Sequence, residues 1–142
     1  MLLASREKAE QLDLPILATV VDYAQVSREP KYIATVPGIS IRKVLEQNHL
    51  PHQDMQIIEI NEAFAAVALI SGEKILGMNK KEMDTKVNVN GGAIAYGHPI
   101  GATGGRIVAT AIYELRRRGG GYAVCGICSG AAQGDALLLK VE

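Results

Sequence analysis

Tryptophan is absent from this chain and phenylalanine occurs once; with aromatics at 4% of residues, stacking platforms for nucleobases are excluded as an organising feature. Neither sign of charge is in excess. Fifteen Lys and Arg against fifteen Asp and Glu leave no net charge, which argues against a nucleic acid or a membrane surface held by bulk electrostatics. Any polyanionic ligand has to be met by local groups. No apolar run approaches the ~18 residues that span a bilayer, and MLLASREKAE lacks the basic, apolar and small-residue order of a signal peptide, so a cytoplasmic location is expected. Only two cysteines are present, Cys125 and Cys128, too few and too close for a disulfide framework. Low-complexity segments and internal linkers are missing, as are the GxGxxG and GxxxxGK[ST] nucleotide-binding motifs.

What is present suffices for one domain over residues 1–142, with 48% apolar residues to fill one core. Its most unusual stretch is NVNGGAIAYGHPIGATGGR, Asn88 to Arg106, which sets six glycines around His98. A glycine inside an element costs roughly 0.5–1 kcal/mol relative to alanine. So dense a cluster implies positive φ angles, open amides, or backbone brought close to a ligand or to its neighbours. We expect a rigid hairpin carrying His98, then a helix with a glycine-rich start from Gly101 to Gly105.

The coarse pattern alternates helix and strand. Arg6 to Leu12 reads as a short charged helix and Pro15 to Val26 as a strand. GISIRKVLEQNHL reads as a helix with Pro37 just before it and Pro51 as its stop. MQIIEI is a short buried strand running into a largely buried helix, NEAFAAVALISGEKILG, that ends at Gly77. KVNVN is expected as another strand. GGRIVATAIYELRRRGG carries Ile107, Val108, Ala111, Ile112 and Leu115 on one helical face, and its arginines Arg116 to Arg118 read as a solvated terminus. GYAVCGIC and ALLLKVE read as two antiparallel strands joined by SGAAQG. The expected class is α/β, a layered domain with a mixed sheet covered by helices. MLLAS resembles the end of an apolar strand, which would leave an edge in need of a partner.

Three strand ends then offer chemistry: Asn61-Glu62, Gly97-His98-Pro99 and Cys128-Ser129-Gly130. Each has a plainer reading. Asn61 suits a helix N-cap as well as a site. His98, held between Gly97 and Pro99, leans toward function, although most lone histidines are surface or core residues. Cys128 alone would more often be a small buried hydrophobe, as Cys125 is taken to be. Residues three apart on a strand face opposite ways, and no second pair completes a zinc site, so no metal is expected. His49 and His52 read as solvated surface residues. Phe64 and Met83 could line a pocket, the plainer readings being core for Phe64 and surface for Met83.

Taken together, NEAFA from Asn61 to Ala65, the glycine-rich stretch and the terminal CSG resemble, in order and separation, the C-terminal domain of thiolases, the acyl-CoA C-acyltransferases. KYIATVPGISIRKVLEQNHL is also similar to the family's stretch before NEAFA. The resemblance covers essentially the whole chain and implies one half of the thiolase αβαβα arrangement. It further implies a Claisen condensation of acetyl-CoA or thiolysis of 3-oxoacyl-CoA through an acyl-cysteine. Coenzyme A thioesters would be the substrate, with no permanently bound cofactor. His98 would activate the acyl-accepting cysteine and share the first oxyanion hole, and Asn61 would hold a water completing it. Cys128 would exchange protons with the thiol and the substrate α-carbon, its pKa pulled toward the operating pH by nearby dipoles. The Gly130 amide would serve the second oxyanion, with Ala63 and Phe64 beside the CoA thioester.

Two departures stand out. Where the family runs glycine-rich after its CxG, this chain has Ala131, Ala132 and Gln133. The nucleophile domain that carries the acyl-accepting cysteine in thiolases is not in this sequence, and Cys125 lies in the wrong motif to replace it. The expectation is a domain needing a thiolase N-terminal half, in a homo- or hetero-oligomer, and inactive alone. The alternative is a truncated, non-catalytic binding or assembly module.

Overall fold

The computed structural model describes residues 1–142. Its centre is a four-stranded sheet, β1 (Thr19–Ser27), β2 (Met55–Ile60), β3 (Gly121–Ser129) and β4 (Gln133–Val141), in the order β1-β4-β3-β2. β1 and β3 run antiparallel to β4, whereas β2 and β3 are parallel. The mixed α/β sheet expected from the sequence is therefore present. Helices are α1 (Arg6–Gln11), α2 (Val36–Gln47), α3 (Ala65–Leu69), α4 (Lys80–Lys86), α5 (Ala93–Tyr96) and α6 (Ile100–Arg118).

Alternation along the central strands splits the core into two layers. Val124 on β3, Ile58 and Ile60 on β2 and Leu138 on β4 pack against Ile41, Val44 and Leu45 of α2 and Val67 of α3. Ala123 and Cys125 on β3, with Ile57 and Leu139, pack against Ile107, Val108, Ala111, Ile112 and Leu115 of α6. Gly134 on β4 makes the α2 layer possible, since a Cβ there would lie 2.5 Å from the Val36 carbonyl oxygen.

The length of α6 follows from which effect is larger. Gly101, Gly104 and Gly105 each cost roughly 1 kcal/mol of helix propensity, whereas each fully buried Ile or Leu returns about 1.5–3 kcal/mol. Burial prevails, and the helix starts at Ile100, directly after Pro99, rather than among the later glycines. Gly119, left-handed at φ 93°, ends it, with the Gly120 N–H donating to the Leu115 carbonyl at 2.8 Å. The arginines that follow the apolar face are not a merely solvated terminus. Arg117 and Arg118 hold the buried Glu114 at 2.5 and 2.7 Å, and their hydrogen bonds, Arg117 foremost, bring its carboxyl down to about 2.

Several boundaries differ from the sequence reading. β1 begins at Thr19 rather than Pro15, α2 takes Pro37 into its first turn and stops at Gln47, and Met1 to Leu3 are exposed outside the sheet. The sheet's two edges are β1 and β2, the latter bridged on its outer side at Ile58. The segment after β2 stays non-helical until Ala65, and α3 passes into a π-helical turn over Ile70–Ile75. KVNVN is not a strand: only Val87 bridges to Ile58. His52 is not fully solvated, its ring being half-buried 3.6 Å from Glu82, while His49 is exposed. The readings of Phe64 and Met83 reverse. Phe64 is 59% exposed, and Met83 packs on the α2 layer.

Candidate active site at the strand ends

The parallel pair β2 and β3 ends at one edge of the sheet, and its ladder runs one residue past β2: the Asn61 N–H donates to the Gly126 carbonyl at 2.9 Å. That bond explains why Asn61 is not a helix cap. The N-cap of α3 is Phe64, without a side-chain cap bond. Asn61 is instead fully buried, and neither Oδ1 nor Nδ2 finds a hydrogen-bond partner in the chain. An unpaired buried amide of this kind costs about 1–3 kcal/mol.

What holds Asn61 there is a clasp that the sequence reading did not anticipate. Asn88, at φ 47°, offers its side chain where KVNVN would have offered backbone. Its Oδ1 accepts from the Ile60 N–H at 2.8 Å and its Nδ2 donates to the Ile60 carbonyl at 2.9 Å and to Glu62 Oε1 at 3.2 Å. Glu62 Oε2 in turn accepts from the Ile94 N–H at 2.9 Å. The carboxyl fits because residue 92 is glycine; a Cβ would stand 2.4 Å from it. NEAF and the glycine-rich stretch are thus tied together by Glu62 and Asn88, and the one mark of it in the sequence is Gly92, where a side chain would displace the Glu62 carboxyl.

His98 follows α5 and Gly97, whose φ of 86° turns the chain, so a helix–turn–helix carries it in place of the expected hairpin. The start of α6 lies at the same sheet edge as Asn61 and Cys128, because α6 returns through Gly119 and Gly120 directly into β3. Two contacts fix this direction: Cys125 Sγ meets the Ile107 carbonyl near the start of α6, and Arg118 meets the Gln56 carbonyl near its end. The ring of His98 is anchored by Thr103, with Nδ1 2.8 Å from its Oγ1. The glycines beyond it do not press against neighbours: a Cβ at Gly97, Gly101, Gly104 or Gly105 would meet nothing within 4 Å.

Cys128 lies on the other face of β3 from Cys125, in a small cluster with Val36 and Ala132 that Ala63 also touches. The expected opposition of the two thiols is borne out. Burial pushes the Cys128 thiol up from its ordinary value, its own backbone N–H pulling the other way. Within this chain, then, desolvation outweighs the lowering by dipoles that the sequence suggested. Cys125 is raised as well, by complete burial and then by the charge of Glu59. The Gly126 ladder bond ties Asn61 to β3, Ala63 touches the Cys128 cluster, and the start of α6 places His98 toward the same strand ends of the sheet. A groove of about 540 Å³ beside α6, lined by Tyr96, Arg106, Tyr113 and Glu114 among others, contains none of the three.

Gly130 is exposed at the turn between β3 and β4, and the alanines after it carry strain. Ala131 has φ 59° and Ala132 φ 54°, the left-handed region where a Cβ costs about 1–2 kcal/mol. Ala131→Gly is expected to raise stability by about 0.5–1 kcal/mol, the relief less the extra unfolded-state entropy of glycine. Ala132, buried against Val36 and Cys128, gives up a packed methyl in the same exchange and is expected to gain nothing. Urea midpoints of the two variants check this difference, and equal shifts would contradict it.

Comparison with known proteins agrees with this geometry. The family model for the thiolase C-terminal domain matches residues 14–141. The chain is 43% identical over 140 residues to a beta-ketoadipyl-CoA thiolase of Acinetobacter baylyi, covering 99% of this chain and 34% of that protein. It is 41% identical to acetyl-CoA acetyltransferase 2 of Arabidopsis thaliana, again over 99% of this chain and 34% of the relative. It superimposes on the Acat5 thiolase of Ascaris suum, solved in complex with coenzyme A, at a TM-score of 0.87 with 34% identity, covering 98% of this chain and 35% of that one. The chain therefore spans about a third of the length of the relatives it matches. A sheet of this order and a family match over nearly every residue place the chain in the thiolase family, as its C-terminal domain.

Proposed function

We propose that this domain supplies Asn61, His98, Cys128 and Gly130 to an acyl-transferring active site completed by a thiolase N-terminal half, and that it has no turnover without that half. The observation that carries the reading is Asn61, fully buried with both amide atoms unpartnered at the edge where Cys128 ends its strand. Folding alone gives no return for such an amide; a water or thioester oxygen placed against it does. The outer surface of α5 and α6 points the same way. Ile94, Tyr96, Ile100 and Tyr113 are exposed there, and open space beside Gly101, Gly104 and Gly105 leaves room for a packed partner.

In this scheme His98 takes the proton of the acyl-accepting thiol of the other half, and that sulfur attacks the thioester carbonyl as CoA leaves with a proton. Asn61 holds a water against the thioester oxygen of the incoming acyl-CoA. Cys128 removes a proton from that thioester's α-carbon, the resulting enolate attacks the acyl-cysteine carbonyl, and the Gly130 N–H faces the oxyanion so formed. The oxyanion then collapses, the carbon–sulfur bond to the acyl-accepting cysteine breaks to release the 3-oxoacyl-CoA, and the freed sulfur takes up the proton that Cys128 removed. Ala63 and Phe64 lie beside the thioester, with the exposed ring of Phe64 available to it. Thiolysis runs the same steps in reverse.

The test is CoA-dependent loss of acetoacetyl-CoA, followed for the chain alone and mixed with a thiolase N-terminal half. Turnover by the mixture only is the expected result. Turnover by the pure chain, or none in a stable complex of the two, would overturn the reading.

A further inference from the structure

Thr103 is wholly buried in the first turns of α6 and has a single hydroxyl proton to serve two neighbours. Its Oγ1 lies 2.8 Å from His98 Nδ1 and 3.1 Å from the Pro99 carbonyl oxygen, an acceptor that also takes the Ala102 and Thr103 N–H groups at 2.8 and 3.0 Å and has no proton of its own to offer. If the hydroxyl donated to Nδ1, two acceptor oxygens would face each other at 3.1 Å with no proton between them. If it donates to the Pro99 carbonyl, Oγ1 is free to accept from Nδ1–H, and every contact pairs a donor with an acceptor. We infer that Thr103 is a positioning residue that holds neutral His98 as the Nδ1–H tautomer and so leaves Nε2 as its bare, basic nitrogen.

The surroundings make this the only anchor of the ring. Gly97 and Pro99 fix the backbone on either side of His98, and the imidazole makes no other hydrogen bond within the chain. The residue itself is exposed, so packing does not select a tautomer and the hydroxyl does. The second nitrogen of a histidine commonly settles what the first can do. The catalytic consequence rests on the proposed thiolase reading, because only there does Nε2 have a thiol to deprotonate; the tautomer itself does not depend on it.

Two measurements separate these levels. Long-range ¹H–¹⁵N spectra of the full chain, taken over a pH series up to 9 with the signal assigned by loss in His98→Gln, report the tautomer directly. The unsubstituted chain and Thr103→Ser are expected to show a protonated Nδ1, and Thr103→Val, which keeps the shape and loses the hydroxyl, a mixture. In the complex with a thiolase N-terminal half, Thr103→Val is expected to lower kcat about tenfold, the population ratio that one such hydrogen bond sustains, with KM unchanged and Thr103→Ser near full rate. A protonated Nε2 in the unsubstituted chain, or an unaltered spectrum in Thr103→Val, overturns the inference. The expected tautomer in a complex that turns nothing over would instead overturn the thiolase reading, and with it the catalytic half of this one.

Discussion

Replacing His98 by alanine is expected to lower turnover of the reconstituted complex by about 10²–10⁴-fold, the range supplied by a positioned acid–base group. His98 is exposed and makes one side-chain hydrogen bond, to Thr103, so the change should leave the fold intact and separate chemistry from stability. Cys128→Ser should show a loss of similar size for a different reason. A serine hydroxyl fits the same small cluster beside Val36 and Ala132, but it cannot ionise near neutral pH. Because burial in this chain holds the thiol above its ordinary value, useful proton exchange at Cys128 requires stabilisation of the thiolate from outside the domain. Alkylation by iodoacetamide should therefore reach Cys128 at lower pH in the complex than in the chain alone. A non-catalytic assembly module would tolerate both substitutions. Turnover within threefold of the unsubstituted complex, with melting temperatures preserved, would favour that alternative over the enzyme.

How far the sequence showed this arrangement depends on which interaction governs each segment. MQIIEI and GYAVCGIC are short and largely apolar, and the structure buries them between α2 and α6, so local pattern and tertiary position agree. The short turn between GYAVCGIC and ALLLKVE likewise dictated the antiparallel pair β3 and β4. KVNVN misled because its alternation is that of a strand, while its backbone pairing stops after Val87 bridges Ile58 and the Asn88 N–H meets the Ile58 carbonyl; beyond that the left-handed Asn88 pairs Ile60 through its side chain. Asn61 looked like a cap because the ladder bond to Gly126 lies 65 residues away in sequence and leaves no local mark. The exchange of Phe64 and Met83 has a related cause, since hydrophobicity tells that a residue is to be covered and not by which chain. The glycines after His98 were expected to admit close neighbours, yet within this domain they meet none. The order of elements was enough to place Asn61, His98 and Cys128 toward the same strand ends, whereas the pairings of Glu62, Asn88 and Thr103 left no mark in the sequence beyond Gly92.

Glu59 sets the other large effect, and its direction with pH is opposite to that of most carboxylates. It is 1% exposed on the α6 side of β2, with neither oxygen hydrogen-bonded. Desolvation raises its pKa from 4.5 to about 7, against the attraction of Arg106 and with smaller repulsions from Glu62 and Glu114. Between these two values the folded chain binds a proton that the unfolded chain has released, so stability falls as pH rises through the window. The rise of about 2.5 units corresponds to about 3 kcal/mol lost between pH 4.5 and pH 7. Glu59→Gln keeps the shape and removes the titration. At pH 5 the variant and the parent should agree within about 1 kcal/mol, both side chains being neutral. By pH 8 the variant should lead by up to about 3 kcal/mol; the attraction of Arg106 is already included, because the value near 7 is the net of both influences. Glu114 does not obscure the comparison, since its carboxyl at about 2 stays ionised throughout this range. Urea unfolding of the two chains at half-unit steps from pH 5 to pH 8 reads the effect, and a difference that stays flat would mean that Glu59 is ionised and satisfied in the folded domain.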